Sequence, residues 1–372
     1  MDFLSNITKG IESAVNLDEG GNSSEFSGTI DTGSYALNAL MSGSIYGGVP
    51  NNKITAFAGE SATGKTFFVM GVVAQFLKDN PDGGVIYFDT EAAVTKQMMV
   101  DRGINPKNVV IVEPTSIEEF RTSATRILTS YIDTPEEDKK PMIMVLDSLG
   151  MLSSMKELED VESGKQARDM TKSQLLRGTF RVLSLKLAKA NVPLLVTNHV
   201  YDVIGAYVPT KEMGGGSGLK YAASQIVFLG KKKDKDGKDV VGNIIKCTMH
   251  KSRFTKEQGK AEVKLSFEKG LDRYYGLLEL AEKYDIIKKV STRYELPDGS
   301  KVFGKNINEE PEKYFTDDVL AQIDKAAAKE YKYGHEEVEE IEEDPNDPII
   351  HPIGDLQDTD DYSADIPKFG EG

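Results

Sequence analysis

One cysteine, Cys247, in 372 residues excludes an intrachain disulfide. Only four histidines accompany it, scattered along the chain, which argues against a structural zinc site. No apolar run approaches the roughly 20 residues that a membrane-spanning helix needs. The opening segment, MDFLSNITKGIESAVNLDEGG, has no long apolar stretch of the kind a secretory signal carries. Its Phe3, Leu4, Ile7, Ile11 and Val15 fall near helical spacing, so a short amphipathic helix is expected there. No internal repeat is visible. These absences leave a reducing cytoplasm as the expected setting.

Positive charge is outnumbered overall, 45 Lys/Arg against 60 Asp/Glu, and the net charge of −15 taken alone argues against a nucleic-acid partner. The distribution of the charge points the other way. Residues 334–372 hold 14 Asp/Glu and one Lys, so the remaining 333 residues carry 46 acidic and 44 basic side chains. The body is nearly neutral, and the acidity sits in one segment rich in Asp, Glu and Pro. Such a segment is expected to be disordered. Two readings stay open for it: a solubilising tail, or an electrostatic competitor that covers a basic DNA-binding surface.

Residues 1–27 read as a helix and a linker, 28–270 as an α/β core with a mostly parallel sheet, 271–333 as a small α+β domain, and 334–372 as the acidic tail. Expected strands are 53–57, 85–89, 109–112, 142–147, 194–198 and 225–229. Their unbroken apolar character suits strands covered on both faces. Helices are expected from Thr66 and from Ser116, which forms a capping box with Glu119. Asp236-Gly237 marks a hairpin tip in KKKDKDGKDVVG. In 271–333 a helix, a hairpin around Asp298-Gly299 and a helix over 317–331 are expected.

The strongest motif is GESATGKT at 59–66, which fits G-x-x-x-x-G-K-[ST]. It follows the apolar KITAF and opens a helical stretch, the setting that phosphate binding requires. Glycines let the backbone wrap an anion, and backbone N–H groups with a helix N-terminus bind it. Gly59, Glu60, Ser61, Ala62, Thr63, Gly64, Lys65, Thr66 and Phe67 form the candidate nucleotide-binding set. Lys65 would reach the β/γ-phosphates, and the Thr66 hydroxyl would meet Mg²⁺. In MIMVLDS an apolar strand carries Asp147 to its C-terminal end, where it could hold Mg²⁺ through water, with Ser148 beside it. Glu91, in VIYFDTE, is the candidate base for the attacking water. ATP and Mg²⁺ are the implied cofactors.

These residues, in this order, resemble the RecA recombinase family, and within it the UvsX recombinases of T-even-like phages. The resemblance covers roughly residues 28–330. GTIDTGSYALNALMSGSIYGGVPNNKITAFAGESATGKT is similar to the family's approach to the phosphate loop. FDTEAAVT is similar to the segment that carries its catalytic glutamate, which falls on Glu91. VTNHV resembles the strand whose end senses the γ-phosphate. RecA has glutamine there and UvsX-type proteins have histidine, so the resemblance gives that role to His199. At the base-stacking position RecA has an aromatic residue, and this chain has Met98.

The resemblance also implies two DNA loops. MGGGSGLKYAAS is similar to the glycine-rich exit of the second, which would span 200–218. Ile204 and Gly205 match the aliphatic wedge between base triplets, and Gly215, Gly216 and Lys220 match positions near the DNA backbone. A Gly-rich loop and an apolar wedge suit that task physically. The first loop would span about 153–172, with Lys165 and Arg168 in SGKQARDM, although Glu157, Glu159, Asp160 and Glu162 should repel DNA. HKSRF gives Lys251 and Arg253, which match the basic pair that reaches a neighbouring subunit's ATP. One residue apart on a strand, they would share a face.

The implied protein is a DNA-dependent ATPase that forms helical filaments on single-stranded DNA and pairs it with a homologous duplex. Single- and double-stranded DNA and further copies of the chain are the implied partners. A phage recombination mediator and a single-strand-binding protein are implied as well. The host cytoplasm is the setting if the chain is phage-encoded. A RecA-fold hexameric motor shares the same motifs, but would close into rings. A nucleotide kinase would need an acceptor pocket and a basic lid. A non-catalytic DNA scaffold would not need Lys65, Thr66, Asp147 and Glu91 together.

Overall fold

The computed structural model describes residues 3, 7–10, 28–164, 171–202, 211–214, 217–267 and 270–334. The acidic segment from 335 onward, and almost all of the N-terminal 27 residues, lie outside these. β1 (Thr29–Ile30) and β2 (Val49–Pro50) pair antiparallel. A ten-stranded sheet takes β3 (Ile54–Gly59), β4 (Gly84–Asp89), β5 (Val109–Val112), β6 (Met142–Asp147) and β7 (Leu194–Asp202). It also takes β8 (Lys211–Met213), β9 (Gln225–Asp236), β10 (Asp239–Ser252), β11 (Lys260–Ser266) and β12 (Gly270–Leu271). The order is β12-β11-β10-β9-β3-β7-β6-β4-β5, with β8 paired to β7. The strands from β9 to β5 run parallel, and β10, β11 and β12 add antiparallel.

The continuous apolar runs serve two cores at once. Alternate residues of a strand face opposite ways. Phe57, Tyr87, Val145 and Leu195 therefore enter one apolar cluster, with the helix Lys65–Asp79. Ile54, Phe88, Met144, Leu146 and Val196 enter the other, with the helices Ile117–Asp133 and Lys172–Ala190. β3 and β6 have no wet face, so their sequence shows no polar alternation, whereas the edge strand β5 leaves Val110 and Ile111 exposed.

β3 continues two residues past its expected end, to Gly59, by parallel pairing, and two further strands run on because each gains an antiparallel partner. β7 continues to Asp202 by pairing with β8, and β9 continues to Asp236 by pairing with β10. The Ser116 cap forms, with its hydroxyl accepting from the Glu119 N–H at 3.1 Å. The returning half of the box differs. The Glu119 carboxylate takes the N–H and hydroxyl of Thr115, at 2.9 and 3.0 Å. The expected first DNA loop is partly helical, over Met155–Glu162, with Glu157 bonded to Lys172 at 3.0 Å.

Towards the C-terminus come the helix Leu277–Lys283, then β13 (Lys288–Val290), β14 (Arg293–Glu295) and β15 (Lys301–Val302), then the helix Asp317–Tyr331. Asp298-Gly299 makes the β14–β15 turn, with Gly299 at φ +80°, a conformation that favours glycine. Leu277, Leu280, Ile287 and Ile323 join the cluster that holds Leu37 and Leu40 of the helix Tyr35–Ser42. Among the described residues no helix is long and apolar enough to cross a membrane.

Candidate active site

The C-terminal ends of β3, β4, β6 and β7 meet at one edge of the sheet. Gly59 lies opposite His199 and Asp89 opposite Asp147. This edge is where parallel α/β sheets take ligands. The loop from Gly59 to Thr66 connects β3 to the helix Lys65–Asp79, whose first backbone N–H groups are free of intrahelical partners. Gly64 caps that helix at φ +88°, and a Cβ on Gly59 would come within 2.9 Å of the Leu229 carbonyl. Both positions require glycine for the backbone to turn here.

Lys65 is buried, and its Nζ donates to the carbonyls of Gly59 and Glu60 at 3.1 and 2.9 Å. Burial pulls its pKa below the ordinary lysine value, while Glu91 and Asp147 partly hold it up. Asp147, at the end of β6, is gripped by two hydroxyls. Tyr87 donates to Oδ2 at 2.7 Å, and Thr197 donates to Oδ1. Its peptide bond to Ser148 is cis.

Glu91 follows β4 on a short loop shaped by Asp89, whose carboxylate accepts from the N–H groups of Glu91 and Val94 at 3.1 and 2.9 Å. The Ser148 hydroxyl donates to Glu91 Oε1 at 2.7 Å. His199 stands between the two charged groups. Its Nδ1 lies 3.4 Å from Lys65 Nζ, and its Nε2 lies 3.5 Å from Glu91 Oε1. An ammonium can only donate, so Nδ1 accepts and the ring proton belongs on Nε2, facing Glu91. Lys65, His199, Glu91, Ser148 and Asp147, far apart in sequence, thus share one cluster.

From this cluster a hairpin leaves the sheet. β7 and β8 pair through Val200↔Met213, Tyr201↔Glu212 and Asp202↔Lys211. Its root is bonded to the site. The His199 carbonyl accepts from the Gly214 N–H at 3.0 Å, and Asn198 Nδ2 donates to the Gly214 carbonyl at 2.9 Å. Ile204, Gly205, Gly215 and Gly216 lie outside the described residues, as do Lys165 and Arg168.

Lys251 and Arg253 are not in the cluster. Ser252 pairs with Gln225 and Gln225 with Thr55, at the end of the sheet opposite Gly59. Four residues of β3 separate the two ends, about 13 Å of strand. Lys251 Nζ donates to the carbonyls of Lys220, Tyr221 and Ala223 at 2.6, 3.2 and 2.8 Å. Arg253 lies one residue past β10 and is exposed, so the two cations are not a same-face pair on one strand. Lys220 is exposed beside Lys251, not at the hairpin root.

Comparison with known proteins matches residues 3–272 to the RecA N-terminal domain. The chain belongs to the RecA family. It is 30% identical over 253 residues to the recombination and repair protein of Enterobacteria phage T4, covering 68% of this chain and 63% of that protein. It is 27% identical over 318 residues to the RecA protein of Levilactobacillus brevis, covering 83% of this chain and 78% of that one. To the RecA protein of Aquifex aeolicus it is 27% identical over 311 residues, covering 80% and 84%. The chain thus aligns with just under two thirds of the T4 protein's length. RecA-family proteins are DNA-dependent ATPases.

Three features of this RecA-family chain escaped the motifs. A groove of about 980 Å³ runs from the nucleotide loop past Phe67, Arg102 and Phe267. The Arg102 guanidinium lies 4.0 Å from the Phe67 ring centroid and donates to the Met98 carbonyl at 3.1 Å. Beyond the Leu229↔Gly59 pair, the β9–β10 hairpin carries exposed Lys231, Lys232, Lys233, Lys235 and Lys238. Lys231 also donates to the Ala62 carbonyl in the nucleotide loop. The run KKKDK is the signal available in the sequence. Finally, Tyr87 and Thr197 sit inside VIYFDTE and VTNHV, but neither segment marks them as functional.

The residues fit a magnesium ion that arrives with a triphosphate. Among the described residues no three His, Cys, Asp or Glu form a metal cluster. Thr66 at the helix start and the buried Asp147 carboxylate supply one hydroxyl and one anion instead. Magnesium is commonly held by one or two protein groups, with phosphate oxygens and waters completing its shell.

Proposed function

We propose that this chain is an ATP-driven strand-exchange recombinase, which forms helical filaments on single-stranded DNA and pairs it with a homologous duplex. One observation carries the reading. His199 lies 3.4 Å from Lys65 and 3.5 Å from Glu91, while its own carbonyl holds the root of the β7–β8 hairpin through Gly214. The groups that would meet a γ-phosphate and the hairpin leading to the second DNA loop are therefore joined at one residue. A ligand shifts such an element by binding one of its two arrangements better.

In this reading the triphosphate lies on 59–66, with Lys65 on the β/γ-phosphates and the base in the groove beside Phe67 and Arg102. Thr66, and Asp147 through water, would hold a magnesium ion, which would supply positive charge against that developing on the phosphates. Glu91 takes the proton of the attacking water, and Ser148 fixes which carboxylate oxygen faces it. Lys251 and Arg253 reach the ATP of a neighbouring copy, a role that fits their distance from their own nucleotide loop. Arg168, Ile204, Gly205, Gly215 and Gly216 contact the single strand. The lysine arm at 231–238 suits the phosphates of the incoming duplex. A recombination mediator and a single-strand-binding protein would govern loading.

A homologous strand-exchange assay with ATP supplied and withheld, beside electron microscopy with single-stranded DNA, tests this. Helical filaments and ATP-dependent exchange are expected. Closed rings, or hydrolysis indifferent to DNA, would overturn it in favour of a ring motor.

A further inference from the structure

We propose that Tyr87 and Thr197 are positioning residues that fix the Asp147 carboxylate to hold magnesium through water. The proposal rests on the reading of Asp147 as the magnesium-holding group. Asp147 follows the apolar run of β6, and β4 and β7 are that strand's two neighbours. Tyr87 lies opposite Val145, and Thr197 follows Val196, which lies opposite Leu146. Strand alternation puts Tyr87, Asp147 and Thr197 on the same face of the sheet, that of the helix Lys65–Asp79. A phenol is long enough to reach diagonally from the Val145 level to Asp147.

The three groups are buried, with Asp147 4% exposed and Tyr87 and Thr197 0%. Tyr87 donates at 2.7 Å to Oδ2, and Thr197 donates to Oδ1, one hydroxyl per oxygen from opposite sides. Two donors, one from each neighbouring strand, hold the carboxylate plane. An ionised carboxylate accepts about four hydrogen bonds, so two lone-pair sites remain for the open side of the site. A carboxylate that already shares its charge with two hydroxyls is a weaker direct metal ligand and a good acceptor for metal-bound water. Partners of this kind orient a metal's contacts, and their loss commonly weakens metal binding by about 10- to 100-fold.

The test is Mn²⁺ binding, read by electron paramagnetic resonance, in the presence of ADP. Tyr87→Phe and Thr197→Val are each expected to weaken Mn²⁺ binding about tenfold. Thr197→Ser, which keeps the hydroxyl, should stay near wild type. ADP binding in EDTA should be unchanged in all three. Wild-type Mn²⁺ affinity in Tyr87→Phe and Thr197→Val, with Asp147→Asn weakened, overturns the proposal and leaves the role of Asp147 standing. Wild-type affinity in Asp147→Asn overturns the role of Asp147 itself. Equal loss of metal-free ADP binding in Tyr87→Phe reduces the pair to general structure and also overturns it. If Thr197→Val does not fold, Tyr87→Phe decides alone, since a phenylalanine fills the same ring space.

Discussion

Glu60, at the head of the nucleotide loop, forms an ion pair with Lys211, the first residue of β8. The two are 151 residues apart in sequence. The pair ties the loop that would hold the phosphates directly to the stem of the β7–β8 hairpin, where the proposed second DNA loop begins. Both side chains are largely exposed, so its worth to stability is at most about 1 kcal/mol. Lys211→Ala should therefore leave thermal unfolding nearly unchanged. DNA stimulation of ATP hydrolysis should shift by about threefold, a coupling of under about 1 kcal/mol. The charge exchange Glu60→Lys with Lys211→Glu should restore most of it. Wild-type stimulation in both single variants would show the pair to be idle.

Glu91 and Ser148 give a graded expectation. Removing a general base commonly costs about 10²- to 10⁴-fold. Glu91→Gln should thus lose nearly all hydrolysis while still binding ATP, since Gln keeps the shape and accepts from Ser148. Ser148→Ala removes only the 2.7 Å bond that orients the carboxylate, and about a tenfold loss in kcat is expected. Steady-state hydrolysis with single-stranded DNA, beside nucleotide affinity, separates the two. Equal losses in both variants would assign Ser148 a larger role than orientation.

What the sequence makes legible depends on where each signal lives. The nucleotide loop is local: eight adjacent residues specify glycine positions, lysine and hydroxyl together. β6 is readable to the residue because both of its faces are covered, and β5, an edge strand with Val110 and Ile111 exposed, because its short apolar run stops where the chain turns. The Asp89 loop, the Tyr87–Asp147–Thr197 grip and the Glu60–Lys211 pair are not, because each is a contact across strands or loops that spacing does not encode. Met98 stands where the family pattern has an aromatic, whereas the exposed ring beside the loop is Phe67, at the start of the helix that the motif opens. The alternation in HKSR suggests a strand that carries Arg253, but β10 bulges between Met249 and Lys251 and ends at Ser252.

Lys65 predicts a pH dependence with a definite sign. Burial lowers its pKa in the folded chain. The cost of charging it is fully present below that lowered value and fades as the pH rises through it towards the ordinary lysine value. Phosphate binding needs the charged form. Nucleotide affinity should therefore begin to fall at a lower pH than an unperturbed lysine would cause, with proton uptake on binding in that window. Calorimetry of ADP binding from neutral to alkaline pH, in buffers of different ionisation enthalpy, measures this directly. Lys65→Arg, which keeps its charge throughout, should flatten the profile even if affinity drops. A profile identical in both proteins would mean that another group sets it.

The position of Arg253 makes the case for a shared site testable without a complex. Exposed at the end of the sheet opposite Gly59, it cannot act on its own chain's loop. It is a better probe than Lys251, whose three carbonyl contacts would be lost on truncation and would destabilise the helix Ser217–Ala222. Arg253→Ala alone should bind nucleotide normally and hydrolyse it poorly on DNA. Lys65→Ala alone should do neither. Mixed together, the two form some interfaces that pair an intact nucleotide loop with an intact arginine only when each comes from a different chain. The intact loop is supplied by Arg253→Ala, and the intact arginine by Lys65→Ala. An equal mixture assembled at random should recover about a quarter of the wild-type interfaces, and DNA-dependent hydrolysis should rise accordingly. Activity equal to the sum of the two variants measured separately would place Arg253 outside the site.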